Sequence, residues 1–240
     1  MGFVFCSYRI TGEIEKNLRG LGVIPVKLRG LGGFGGFHPI GYHPDMFCFD
    51  LGENRWLFYE GAYRENREAI DRLGLEVVTA KDPDVCIYPH DIGLNAAKVG
   101  DKIICNTKHT DETILIYAKK AGKNIIDTKQ GYAKCSVCVV DNNSLVTSDV
   151  SIYKKATEHK IEALLVEKGH IGLDGYGYGF IGGCSGIIGK NTLAFTGDIS
   201  LHPNYGDIQS FCWGRGVEVV SLSGDKLYDY GSIFRIGEQS

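Results

Sequence analysis

Residues 132–140 read YAKCSVCVV, which sets Cys135 and Cys138 in a C-x-x-C spacing. That spacing serves zinc ligation or dithiol exchange when a turn or helix start points both sulfurs the same way. Here it falls in an alternating apolar pattern that predicts a strand, where residues three apart face opposite sides of the sheet. No second C-x-x-C completes a four-ligand set, so no metal site is expected. Cys138 is expected to pack as a small hydrophobe. Cys135 stands next to Lys134, whose ammonium would favour its thiolate, and is a candidate nucleophile. Cys184, in Gly182-Gly183-Cys184-Ser185-Gly186, is a second one. Its small-x-Cys-x-small setting imitates a nucleophile elbow, but an elbow leads into a helix, and IIGKNTLAF reads as strand, turn, strand. His170 and Asp174 in GHIGLDGYGYGF would share one face of a strand, either as a relay or as a structural hydrogen bond. The glycines of LRGLGGFGGFHPIGYHPDMF (28–47) lack the Gly-Lys-Ser/Thr of a phosphate loop; they read as a loop ending at His38 and His43.

Composition narrows what such groups can serve. The chain has 240 residues, 43% hydrophobic and 23% charged, which suits one globular domain across 1–240. A net charge of -3 gives no basic excess for nucleic acid or an anionic membrane. No apolar run approaches the roughly 20 residues that span a bilayer. The first residues lack a charged segment followed by an apolar run, so no signal peptide is expected. Eight cysteines spread along such a chain suggest reduced thiols and a cytoplasmic setting.

The elements that must position these groups recur. An amphipathic helical stretch, a break and a β-rich run appear at 10–28, 63–80, 110–128, 150–168 and 206–224. Four breaks carry glycine where a helix C-cap wants it, at Gly22, Gly74, Gly122 and Gly216; the fourth unit has Lys160 there. Pairs of strand-like runs joined by Gly, Asn and Asp turns lie between these units, and YGSIFRIGEQS ends the chain as a strand with no partner after it. The unit is strand, strand, helix, strand, five times over. One copy is split between the two termini, and pairing of the two halves would close a ring and remove an open edge.

A ring of five ββαβ units closed through its termini resembles the pentein fold, the α/β propeller of the guanidino-group-modifying enzymes. Stretches such as HPDMFCFD, YPHDIGLNAAKVG and KQGYAKCSVCVV also resemble an uncharacterised bacterial family grouped with those enzymes by fold. The resemblance implies a site at a central pore, where each unit's inner strand begins. Counting back seven residues from the turns at Gly52, Asp141, Gly189 and Gly237 gives Asp45, Lys134, Gly182 and Tyr230, with Asp91 as the match in the second unit. His43, His90 and Cys135 stand beside them. In that frame Asp45 and Asp91 either hold a guanidinium, whose planar fork pairs with carboxylates, or cap turns after Pro44 and Pro89. His43 or His90 would transfer protons, and Cys135 or Cys184 would attack.

One departure bears on the reaction. The family's nucleophilic cysteine belongs on the last inner strand, here Gly231-Ser232-Ile233-Phe234-Arg235, which has neither cysteine nor histidine. Arg235 or Lys134 at the pore would favour an anionic or zwitterionic ligand. Two readings follow: a cofactor-free enzyme acting on a small guanidino or amino-acid-like compound, and a binding or assembly protein that has lost the chemistry. The sequence does not set the oligomeric state.

Overall fold

The computed structural model describes residues 2–31 and 39–237; the glycine-rich stretch 32–38, with His38, lies outside the described residues. The chain begins with β1 (Gly2–Ser7), α1 (Gly12–Gly20) and β2 (Val23–Leu28). The Thr11 side chain accepts from Ile14 N and starts α1, whose buried stripe is Ile14 and Leu18, four apart. One helical turn, α2 (Pro44–Phe47), then leads into β3 (Cys48–Gly52), β4 (Arg55–Tyr59), α3 (Glu60–Asp71) and β5 (Glu76–Ala80). The next unit is β6 (Ala97–Val99), β7 (Lys102–Cys105), α4 (Glu112–Lys120) and β8 (Asn124–Asp127). Another turn, α5 (Ala133–Ser136), precedes β9 (Cys138–Asp141), β10 (Ser144–Thr147), α6 (Val150–Glu158) and β11 (Glu162–Leu165). Last come β12 (Ser185–Ile187), β13 (Thr192–Phe195), α7 (Tyr205–Trp213), β14 (Glu218–Ser221) and β15 (Phe234–Ile236).

These strands form five three-stranded sheets of one design. In each, an inner strand pairs antiparallel with a middle strand, which pairs parallel with the outer strand beyond the helix. The fifth sheet, β15-β1-β2, joins the two ends of the chain, with Phe3 opposite Ile236 and Phe5 opposite Phe234. The five helix-ending positions all adopt the left-handed conformation: φ is 76° at Gly22, 66° at Gly74, 63° at Gly122, 60° at Lys160 and 69° at Gly216. The repeat is therefore physical, and Lys160 holds a conformation that glycine adopts more readily.

The inner strands converge on a shaft. A cavity of about 70 Å³ is lined from all five, by Phe49, Lys98, Val139, Ile187 and Arg235 among others. An apolar cluster also packs between units. Phe5 of β1 meets Trp56 and Phe58 of β4 edge-on at 4.8 and 5.7 Å, which ties the closing sheet to its neighbour. Two predicted strands differ in their first residues: PDMF and AKCS are helical turns. Neither contains a β-branched residue, and extended pairing begins only at Cys48 and Cys138. No described helix is long and apolar enough to cross a membrane.

Candidate functional site at the head of the shaft

The two helical turns and the segment before β15 deliver side chains to the head of the shaft. Asp45, in α2, is fully buried, and its backbone N donates to Gly231 O. Its Oδ2 accepts from Ser232 Oγ at 2.6 Å. Lys134, in α5, donates from Nζ to the same Ser232 Oγ at 2.9 Å and lies over the Phe234 ring at 5.2 Å. The serine hydroxyl also lies 2.9 Å from Gly182 O, so its single proton serves either Asp45 or that carbonyl. Glycine is required at 182, because a Cβ there would sit 2.4 Å from Lys134 O and Val137 O and 2.6 Å from Cys135 O. Ser232 itself has φ of 71°, a strained conformation for a residue with a side chain.

Asn95 and Asp229 complete the cluster. Asn95 Oδ1 accepts from Lys134 N at 2.7 Å, while its Nδ2 donates to Asp45 O at 2.9 Å and lies 3.1 Å from Cys135 Sγ. Asp229 accepts from Phe180 N and Gly231 N at 2.9 Å each, and His43 Nδ1 stands 3.5 Å from its Oδ1. Burial raises the Asp229 carboxyl to about 6 against those two backbone hydrogen bonds and the Lys134 charge. Burial also raises Asp45, and the opposing charges of His43 and Lys134 only partly offset it.

Above this cluster opens a cleft of about 360 Å³, lined by Ser7, Arg9, His43, Asp174, Tyr230 and Asp229 among others. The Arg9 guanidinium lies 4.1 Å over the Tyr42 ring, and Tyr228 and Tyr230 lean together at 4.8 Å. Cations and carboxylates thus share one concave surface.

The structure gathers Asp45, Lys134, Gly182 and His43 and separates other expected residues. Asp91 is buried, and its Oδ2 accepts from Tyr132 OH at 3.1 Å. The position two residues before the inner strand is filled in the second unit by Asn95, as it is in the closing unit by Ser232. His90 is exposed in the turn before Asp91. Cys184 corrects an expectation too: it is buried among Val146, Phe195 and other apolar side chains, and its thiol donates to Ile181 O at 3.4 Å. Arg235 lies at the other end of the shaft. His170 and Asp174 form no relay, for this segment is turns rather than a strand; His170 faces Glu167 at 3.6 Å.

Cys135 reverses the reasoning that nominated it. It packs with Ile40, Met46 and Leu173, and burial, then the charges of Asp45 and Asp229, raise its thiol well above the ordinary value. Lys134, expected to lower it, instead points to Ser232. Sequence reasoning missed Ser232, Asn95 and Asp229. The signal for the first two was their equal offset from the inner strand, hidden because the irregular turn of the second unit pointed to Asp91 and the count from Gly237 in the closing unit pointed to Tyr230. Among the described residues no group of three or more His, Cys, Asp or Glu is arranged to hold a metal.

A family model, DUF6873, described as a family of unknown function, matches residues 5–234. The chain belongs to that family. No curated protein matches it. Among solved structures, the DUF6873 chain resembles SxtG, an amidinotransferase from Microseira wollei in the saxitoxin biosynthetic pathway, with a TM-score of 0.58 at 10% identity over 99% of this chain and 94% of that one. It also resembles the inosamine-phosphate amidinotransferase StrB1 from Streptomyces griseus, with a TM-score of 0.58 at 12% identity over 97% and 82%. The C. jejuni agmatine deiminase gives 0.56 at 10% identity over 98% and 93%. At such identity the likeness is one of fold, and the DUF6873 chain has the five-unit pentein fold of the guanidino-modifying enzymes.

Proposed function

We propose that this pentein-fold chain is a binding protein for a small amino-acid-like or guanidino compound, which it holds in the cleft above the shaft without thiol chemistry. The observation that carries this reading is the Lys134–Ser232–Asp45 chain. An internal ammonium, relayed through a hydroxyl, already serves the carboxylate that a guanidinium would otherwise engage. No cysteine stands on the closing inner strand, and Cys135 is a buried, protonated thiol at neutral pH. Recognition falls to the cleft: Arg9 offers a bidentate partner for a carboxylate, and exposed Asp174 offers one for a cation.

Calorimetric titration of the full chain with L-arginine and agmatine tests this. L-arginine, which carries both a carboxylate and a guanidinium, is expected to bind more tightly than agmatine, which lacks the carboxylate. Arg9→Met should weaken L-arginine binding about tenfold, or about 1.4 kcal/mol, with no citrulline, urea or ammonia released. Binding of neither compound removes the reading. Product release would restore the second one, turnover by Cys135, which the Asn95 amide 3.1 Å from its sulfur favours.

A further inference from the structure

The shaft has a second mouth, at the end where the hairpins turn. A bowl of about 510 Å³ opens there between the turns at Gly52–Asn54, Gly100–Asp101 and Asn142. It is continuous with the inner cavity: Asp50, Trp56, Lys98 and Arg235 line both. Three cationic side chains face that inner cavity, Lys98, Lys134 and Arg235, against one carboxylate, Asp50. Asp50 is committed to Lys98, which bonds it directly. Lys134 lines the cavity from the head side, where Ser232 holds its ammonium. Arg235 pairs with Val4 through the closing strand, while its guanidinium lines both cavities and has no hydrogen bond or ion pair among the described residues. Lys123, on the rim, donates to the Gly100 carbonyl; of the two further carboxylates that line the bowl, Asp101 is engaged by Lys102 and Glu53 lies at the turn.

Cations converging on a half-enclosed space repel one another, and the narrow walls keep bulk water from screening them. An anion removes that cost, and a guanidinium is the side chain that grips an oxyanion through two parallel hydrogen bonds. We propose that this mouth is a binding site for a compact dianion, an orthophosphate or a short dicarboxylate. Arg235 and Lys123 contact it at the entrance, and the Lys134 ammonium draws it inward. The cavity volume admits a group of that size and no large one. The site is distinct from the head cleft, since the Lys134–Ser232–Asp45 chain stands between the two.

Titrations of the full chain with orthophosphate and with malonate, in chloride buffer held at constant ionic strength, test the proposal. The readout is the fluorescence of Trp56, which lines both cavities; Trp213, highly exposed on α7, is replaced by Phe to isolate it. One of the two dianions should bind saturably at one per chain, and which one does so names the source. Arg235→Met should weaken it at least tenfold and Lys123→Met severalfold, while Arg9→Met at the other mouth leaves it unchanged. Equal fluorescence change on adding chloride alone, no saturable binding of either dianion, or wild-type affinity in Arg235→Met overturns the site. Because the Arg9 and Arg235 variants act at opposite mouths, either reading can fail without the other.

Discussion

Ser232 gathers more of the buried polar chemistry than any titratable group the sequence nominated, and its neighbours make it testable. Its left-handed φ costs about 1 kcal/mol, whereas its hydroxyl links an ammonium to a carboxylate. Ser232→Gly and Ser232→Ala both lose those bonds, but only glycine relieves the backbone. Urea unfolding should therefore show the alanine variant less stable than the glycine variant by about 1 kcal/mol. Asp229 sets a pH dependence. Its native carboxyl titrates near 6, above the ordinary value of about 3.9, so between those values the folded protein binds a proton that the unfolded chain does not. That contribution is present at low pH and is lost as pH rises through 6. Asp229→Asn should flatten the fall in stability between pH 4 and 6, by roughly 2 kcal/mol across the window. The thiols complete this scale. Cys86 alone is partly exposed, and its own value is raised to about 12, so alkylation at pH 7 should be slow and confined to Cys86. Rapid labelling of Cys135 would contradict its burial. Here the sequence misled for a definite reason: adjacency of Lys134 and Cys135 in the chain says nothing about direction, and one helical turn sends the ammonium to Ser232 and the sulfur to Met46.

Helix ends are where the sequence spoke most clearly. Each of the five breaks marked by a C-cap residue became a left-handed turn, and even the non-glycine position at Lys160 obeyed the repeat. Lys160→Gly should accordingly raise stability by about 0.5–1 kcal/mol, read as a shift in the urea midpoint with unchanged slope. The start of the inner strands was harder to read. PDMF, AKCS and the segment before Ser185 follow no common pattern, because these residues are chosen for what they meet across the shaft rather than for one face of a sheet. Gly182 shows the constraint: three carbonyl oxygens from the neighbouring unit occupy the space a Cβ would need, so Gly182→Ala should cost about 3 kcal/mol or prevent folding, as judged by circular dichroism.

Closure of the ring governs the whole molecule. The pairing of β1 with β15 was legible because each terminus showed half of a unit, and no half-unit is stable as an open edge. The position of the head cleft was not legible, since it draws on Ser7, His43, Asp174 and Asp229, which no periodicity relates. Ending the chain at Ser232 removes the strand opposite Phe3, Val4 and Phe5, and a loss of cooperative thermal unfolding is the expected result. The same sheet carries a consequence for synthesis. A ribosome delivers Phe5 more than two hundred residues before Phe234, so β1 and β2 must wait, half covered, until the far end of the polypeptide emerges. Folding is thus dominated by its most distant contact, and the interval in which that strand lies bare is when the nascent protein is most open to chaperones and to its own aggregation.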